Sequence, residues 1–156
     1  MLANKVFVTG IYGSGKSTFV RNHKPLLPNH VYLSFDKIYG YADRGSRMDL
    51  VYNALNATDR CIMDALPLSS MQEDWAAFEE FISVNNCCIV LVECDIDHWY
   101  SHNLKHKACY TDATESQHKQ WFSEFYTGLG ADLATSFGEK LWTYDSCTGV
   151  LSPPSP

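Results

Sequence analysis

No arginine follows Arg60 in this sequence, and charged residues of either sign make up only 19% of it. No apolar run approaches the roughly 20 residues that a membrane-spanning helix needs, which excludes an integral membrane protein of helical type. The first residues, Met1 to Gly10, carry only a short apolar run and no cleavage site of signal-peptide type, so a cytoplasmic protein is expected. Six cysteines are present without a C-x-x-C pair or regular spacing, and the six histidines do not join them at zinc-ligand spacing. Reduced thiols are expected, Cys61, Cys87 and Cys88 acting as small hydrophobes within apolar runs. The net charge of −6 argues against broad nucleic-acid binding while leaving room for a local basic groove. There is no internal repeat, and the N-K-x-D signature of a guanine-nucleotide switch is missing, since Asn4-Lys5 is followed by Val6 and Phe7.

What is present is alternation. At 156 residues and 46% hydrophobic, the chain is long enough to bury a core as a single domain. Short β-rich runs at Lys5–Thr9, His30–Phe35, Cys61–Leu66, Cys87–Glu93 and Lys140–Tyr144 are separated by helix-compatible stretches. These begin at Lys16–Asn22, which stops before Pro25, and continue with a segment around Met48–Leu55. Capping boxes at Ser70-Met71-Gln72-Glu73 and Thr114-Glu115-Ser116-Gln117 open two further helices, and Ile96–Lys105 reads as another. Strands alternating with helices imply βαβ units and a three-layer α/β/α sandwich around a five-stranded parallel sheet. One domain is expected over residues 1–147, followed by a flexible Pro/Ser tail at 148–156.

The most specific feature is Gly10-Ile11-Tyr12-Gly13-Ser14-Gly15-Lys16-Ser17, a complete G-x-x-x-x-G-K-S run between a strand and a helix. Glycines at Gly10, Gly13 and Gly15 let successive backbone N–H groups, Ser14's among them, turn inward around phosphate oxygens. The helix that follows points its positive end at the anion. Lys16 is placed to reach the β/γ-phosphates of ATP, Ser17 to ligate Mg²⁺, and Thr18 to contact a phosphate. Asp36 closes the second strand run and Asp64 lies near the end of the third. Ligands of open α/β sheets bind beyond the carboxyl ends of the strands, so both carboxylates are expected to face the P-loop. One of them can steady Mg²⁺ and the other can orient or deprotonate an attacking hydroxyl, although both Asp36 and Asp64 also fit helix caps or turns.

With these residues in place the chain resembles the small P-loop kinases, which include nucleoside, nucleotide, shikimate and gluconate kinases. Ser34-Phe35-Asp36 is most similar to the branch of polynucleotide 5′-hydroxyl kinases and zeta-toxin-like kinases. The resemblance implies that Asp36 serves as base or acceptor-site residue. It also implies that the segment Lys37–Asp59, with Tyr39, Tyr41, Arg44 and Arg47, binds the acceptor. Such kinases carry a lid after the fourth strand, usually with arginines. This chain has only Lys105, His106 and Lys107 after His102 there, so Lys105 is the candidate lid cation. Tyr39, Tyr41 and Tyr52 fit base stacking or packing equally, while Trp99 and Trp121 fit packing.

The expected function is ATP- and Mg²⁺-dependent transfer of a γ-phosphoryl group. The acceptor would be a hydroxyl or phosphate of a nucleoside, a nucleotide or a nucleic acid, at an end or on a base, with no membrane partner. A small-metabolite kinase of shikimate or gluconate type, or a non-catalytic nucleotide-binding module, are the alternatives.

Overall fold

The computed structural model describes residues 2–39, 48–65, 75–104 and 113–156, with nothing said of the side chains of Tyr39 and Met48. Five short runs become strands β1 (Lys5–Thr9), β2 (Val31–Ser34), β3 (Cys61–Asp64), β4 (Cys87–Glu93) and β5 (Leu141–Asp145). A sixth, β6 (Val150–Ser152), forms from part of the segment read as a tail. The strand order is β2-β3-β1-β4-β5-β6. The first five strands pair in parallel, and β6 pairs with β5 antiparallel, Tyr144 opposite Leu151. The sheet is therefore six-stranded and mixed rather than five-stranded and parallel. The reason lies in the β5–β6 turn. The Asp145 side chain accepts the Cys147 and Thr148 amides at 2.8 and 3.3 Å, and Gly149 takes a φ of 75°, open to glycine at little steric cost. The chain thus reverses within four residues and returns along β5 before the prolines end the pairing.

Side-chain alternation along the strands divides the core into two layers. Phe7, Cys61, Met63, Cys87, Ile89 and Leu91 point to one face, where α3 (Met48–Asn56), α4 (Trp75–Val84) and α7 (Gly130–Phe137) pack with Leu55, Phe78, Ile82, Leu133 and Phe137. Val6, Val8, Ile62, Cys88, Val90 and Val92 point to the other, where α1 (Lys16–His23) contributes Phe19. The central strands β1 and β4 are apolar on both faces because both faces are covered. Burial pushes the Cys61 and Cys88 thiols up to about 11 and Cys87 up to about 12, so these thiols pack and do not react.

A third cluster sits beyond the carboxyl ends of the strands. Ile11 of the Gly-rich loop packs there with Trp99, Leu104 and Phe122. Trp99 belongs to a π-helical turn, Trp99–Asn103, that continues α5 (Ile96–His98). Phe122 comes from α6 (Glu115–Glu124), whose N-cap is Thr114 as the capping box implies, its hydroxyl accepting the Gln117 amide at 3.2 Å. The Ser70–Glu73 capping box lies outside the described residues. No helix among the described residues is long and apolar enough to cross a membrane.

Candidate active site

β1 is buried along its whole length and delivers the loop 10–15 to the carboxyl edge of the sheet, where α1 begins. Gly15 is the N-cap residue, at φ 110°. A Cβ there would lie 2.6 Å from the Ser146 Cβ, so close approach as well as backbone angle requires glycine. At Gly10 a Cβ would meet the Val92 carbonyl oxygen at 2.9 Å, so the loop leaves β1 hard against β4. Lys16 Nζ donates to the Gly10 and Ile11 carbonyls at 2.8 and 3.1 Å, and the Ser14 amide closes a turn onto Ile11 O at 3.0 Å. The loop curls around the start of its own helix with the Lys16 ammonium inside the curl.

A cleft of about 380 Å³ opens on this loop, lined by Gly13, Gly15, Lys16, Ser17 and Thr18. Its outer wall is His98, Asn103 and Ser146, with Tyr12 at one side. That size lies at the lower end of the range for small-molecule sites. The sequence pattern thus places the P-loop residues Gly13, Gly15, Lys16, Ser17 and Thr18 around one space, while Ser14 is fully buried behind it. The outer wall escaped the sequence reading, because His98, Asn103 and Ser146 belong to no motif with the loop.

The carboxylates flank the same loop. β3 lies between β1 and β2, and its last residue, Asp64, is in register with Val8 on one side and Ser34 on the other. Burial raises the Asp64 carboxyl above its ordinary value, the charge of Lys16 works against that rise, and the charge of Asp36 adds to it. Desolvation, and after it the charge of the Asp64 carboxylate, raises the Tyr32 phenol. Tyr32, Asp36, Asp64 and Lys16 therefore form one electrostatic group. Tyr32 is a member the sequence did not mark, since a tyrosine within a β-rich run reads as packing.

Asp36 stands where the expectation differs in detail. The strand ends at Ser34, and Phe35–Tyr39 forms helix α2 with Asp36 in its first turn, exposed to solvent. Phe35 is buried in the core and anchors the turn, which lets the next side chain face outward. A carboxylate in a first helical turn is favoured by the helix dipole. Tyr39 closes α2. Tyr52 packs against the core, its ring 5.5 Å from Phe81. Trp99 is fully buried, as expected of a packing residue, and Trp121 stands edge-on to His118. Tyr41, Arg44, Arg47, Lys105, His106 and Lys107 lie outside the described residues.

The oxygen donors suit a magnesium ion. Mg²⁺ takes one or two carboxylates together with substrate phosphates rather than a protein cage. Ser17 in the cleft and Asp64 beside Lys16 offer that set, and Asp36 and Asp64 form a like-charged pair that a divalent cation would neutralise.

No family model matches the sequence, and no curated protein matches it either. Among solved structures, the chain is similar to a shikimate kinase from Bacteroides thetaiotaomicron at 13% identity, covering 92% of this chain and 87% of that one, with a TM-score of 0.60. At this identity the likeness is one of architecture: the chain shares the α/β fold of that structure.

Proposed function

We propose that the chain is a cytoplasmic, ATP- and Mg²⁺-dependent kinase with one catalytic domain. It would transfer the γ-phosphoryl group to a hydroxyl or phosphate acceptor of the nucleoside, nucleotide or polynucleotide class, in the manner of the polynucleotide-kinase and zeta-toxin-like branch. The observation that carries this reading is the electrostatic group itself. A P-loop lysine, a half-buried carboxylate and an exposed carboxylate act on one another at the carboxyl edge of the sheet.

The roles follow from position. The amides of the loop and of the first turn of α1 hold the β- and γ-phosphates, with Thr18 beside them. Lys16 stabilises the negative charge that moves towards the β–γ bridging oxygen in the transition state. When bound, Mg²⁺ would neutralise negative charge on the triphosphate. Ser17 and Asp64 would hold it. Asp36, exposed and next to the acceptor segment, accepts the proton of a hydroxyl acceptor as its oxygen bonds to the γ-phosphorus. The bond to the bridging oxygen then breaks and ADP departs. Tyr39, Arg44 and Arg47 would orient the acceptor, the arginines on an anionic group. Lys105 would complete the charge around the transferred phosphoryl group.

A small-metabolite acceptor is the second reading. It is favoured by the likeness in fold to a protein described as a shikimate kinase, and by the suitability of an arginine pair for a carboxylate. A screen with γ-labelled ATP separates the two, using nucleosides, nucleoside monophosphates, single- and double-stranded DNA, RNA and small hydroxy acids. Label on a nucleoside, nucleotide or nucleic acid supports the first reading. Label on a hydroxy acid alone replaces it with the second, and no label on any acceptor contradicts both.

A further inference from the structure

Five successive carbonyls of the P-loop, from Gly10 to Ser14, each accept a hydrogen bond from a side chain. Lys16 serves the first two, Gly10 and Ile11. The other three are held from far away in the sequence. Trp99 Nε1 donates to the Tyr12 carbonyl at 2.8 Å, Asn103 Nδ2 to Gly13 at 2.9 Å, and Ser146 Oγ to Ser14 at 2.5 Å. We propose that Trp99, Asn103 and Ser146 are positioning residues for triphosphate binding, which fix the phosphate-facing amides of the loop by anchoring the carbonyls of the same peptide units. The inference rests on the reading of this loop as a triphosphate cradle.

A trans peptide unit is planar, so its carbonyl and the amide that follows point in opposite directions. Holding the Tyr12 carbonyl aims the Gly13 amide the other way, and holding the Ser14 carbonyl does the same for Gly15. Both glycines line the cleft. Holding the Gly13 carbonyl aims the Ser14 amide at Ile11 O, which it reaches at 3.0 Å and which closes the loop. Gly13 and Gly15 both take positive φ, at 74° and 110°. At glycines the backbone has many alternatives of similar energy, so the peptide units between them turn easily unless something anchors them. Anchoring before the ligand arrives removes an ordering cost from binding.

The anchors come from two sides of the loop. Trp99 is fully buried against Phe122, ring centroids 4.9 Å apart, and its ring also lies 5.7 Å from that of Tyr12. Asn103 ends the same π-helical turn, a winding that is rare in proteins and frequent at functional sites. Ser146 follows β5 on the other side, and its amide donates to the Glu93 carbonyl at 2.9 Å, leaving its hydroxyl proton for Ser14. The cradle is clamped between the end of β5 and the helix that follows β4.

The test compares Asn103→Leu, Ser146→Ala and Trp99→Phe with the unaltered chain. Titration calorimetry measures affinity for inorganic tripolyphosphate and for ATP, both with Mg²⁺. Steady-state kinetics and the thermal midpoint of the ligand-free protein are measured alongside. Each single variant should lose about tenfold in affinity for both ligands, with ATP KM rising alike, kcat changing less than about threefold, and the midpoint falling by no more than about 4 °C. Trp99→Phe is the variant most exposed to misfolding, so Asn103→Leu and Ser146→Ala decide the matter. Unchanged tripolyphosphate affinity in both overturns the inference alone. A collapse of the midpoint in both, or a fall in kcat without a rise in KM, does the same by showing a role in the fold or in the chemical step. If the unaltered chain binds neither tripolyphosphate nor ATP, the triphosphate reading itself fails.

Discussion

The two sides of the sheet's carboxyl edge are built by different means. Around β1, β4 and β5 the site is backbone: a loop packed against Val92, its carbonyls anchored by Trp99, Asn103 and Ser146. Around β2 and β3 it is side chain: Tyr32, Asp36 and Asp64, with β2 at the edge of the sheet, Tyr32 45% exposed and Asp36 exposed. A triphosphate presents the same oxygens in every reaction, so fixed amides can hold it. An acceptor varies, and side chains on a thinly covered edge can vary with it at small cost to the core. On the proposed function, the donor half would rest on the fold and the acceptor half on this sequence's own side chains.

The sharpest way to break that division is Asp36→Asn. If Asp36 serves only the acceptor side, kcat falls by at least about a hundredfold while Mg-ATP affinity stays within severalfold, measured by kinetics and calorimetry together. An equal fall in affinity would move Asp36 to the donor side as a metal-site residue.

Gly15→Ala probes the opposite half. A methyl group there meets the Ser146 Cβ at 2.6 Å on a backbone at φ 110°, so the loop or Ser146 must give way. ATP affinity should fall by about tenfold or more, with circular dichroism unchanged. Retained affinity would show that the clamp on this glycine is looser than its geometry implies.

A smaller effect is expected from the double substitution Arg44→Ala with Arg47→Ala. Acceptor KM should rise about tenfold, about 1.4 kcal/mol, with ATP KM little changed. An unchanged acceptor KM would remove these residues from the acceptor site.

The smallest effect is one of stability. The Asp64 carboxyl is raised by burial, so the folded chain binds its proton more tightly than the unfolded chain does. Its contribution to stability is fullest below the ordinary carboxylate pKa and is lost as pH rises through the raised value. Asp64→Asn should therefore melt higher than the unaltered chain near about pH 7, with the gap closing towards about pH 4. A melting advantage that does not depend on pH would assign the effect to packing instead.

How much of this was legible in the sequence follows the same division. Gly10 to Ser17 is contiguous, and the chemistry of a phosphate cradle dictates such a run, so eight positions carried the expectation. Strand alternation with both-face burial was equally visible in the Cys87–Glu93 run. The anchors were not visible, because they lie 87, 90 and 132 residues from the carbonyls they hold, and only the folded sheet brings them there. β6 escaped for another reason. Val150-Leu151-Ser152 is too short to show a period before Pro153, and it becomes a strand because β5 offers an unpaired edge. Asp36 was legible as a site candidate but not as a helical residue, since nothing in Ser34-Phe35-Asp36 shows that the burial of Phe35 turns the chain.

The central claim is that the loop at Gly10–Ser17 binds a triphosphate for transfer, and Lys16→Ala tests it most directly. Turnover of γ-labelled ATP and calorimetric affinity for Mg-ATP would be measured on the unaltered chain and on the variant, with circular dichroism to establish that both are folded. Turnover is expected to fall by about a thousandfold or more and affinity to weaken greatly, with the fold intact. A folded Lys16→Ala protein that turns over ATP as the unaltered chain does would contradict it.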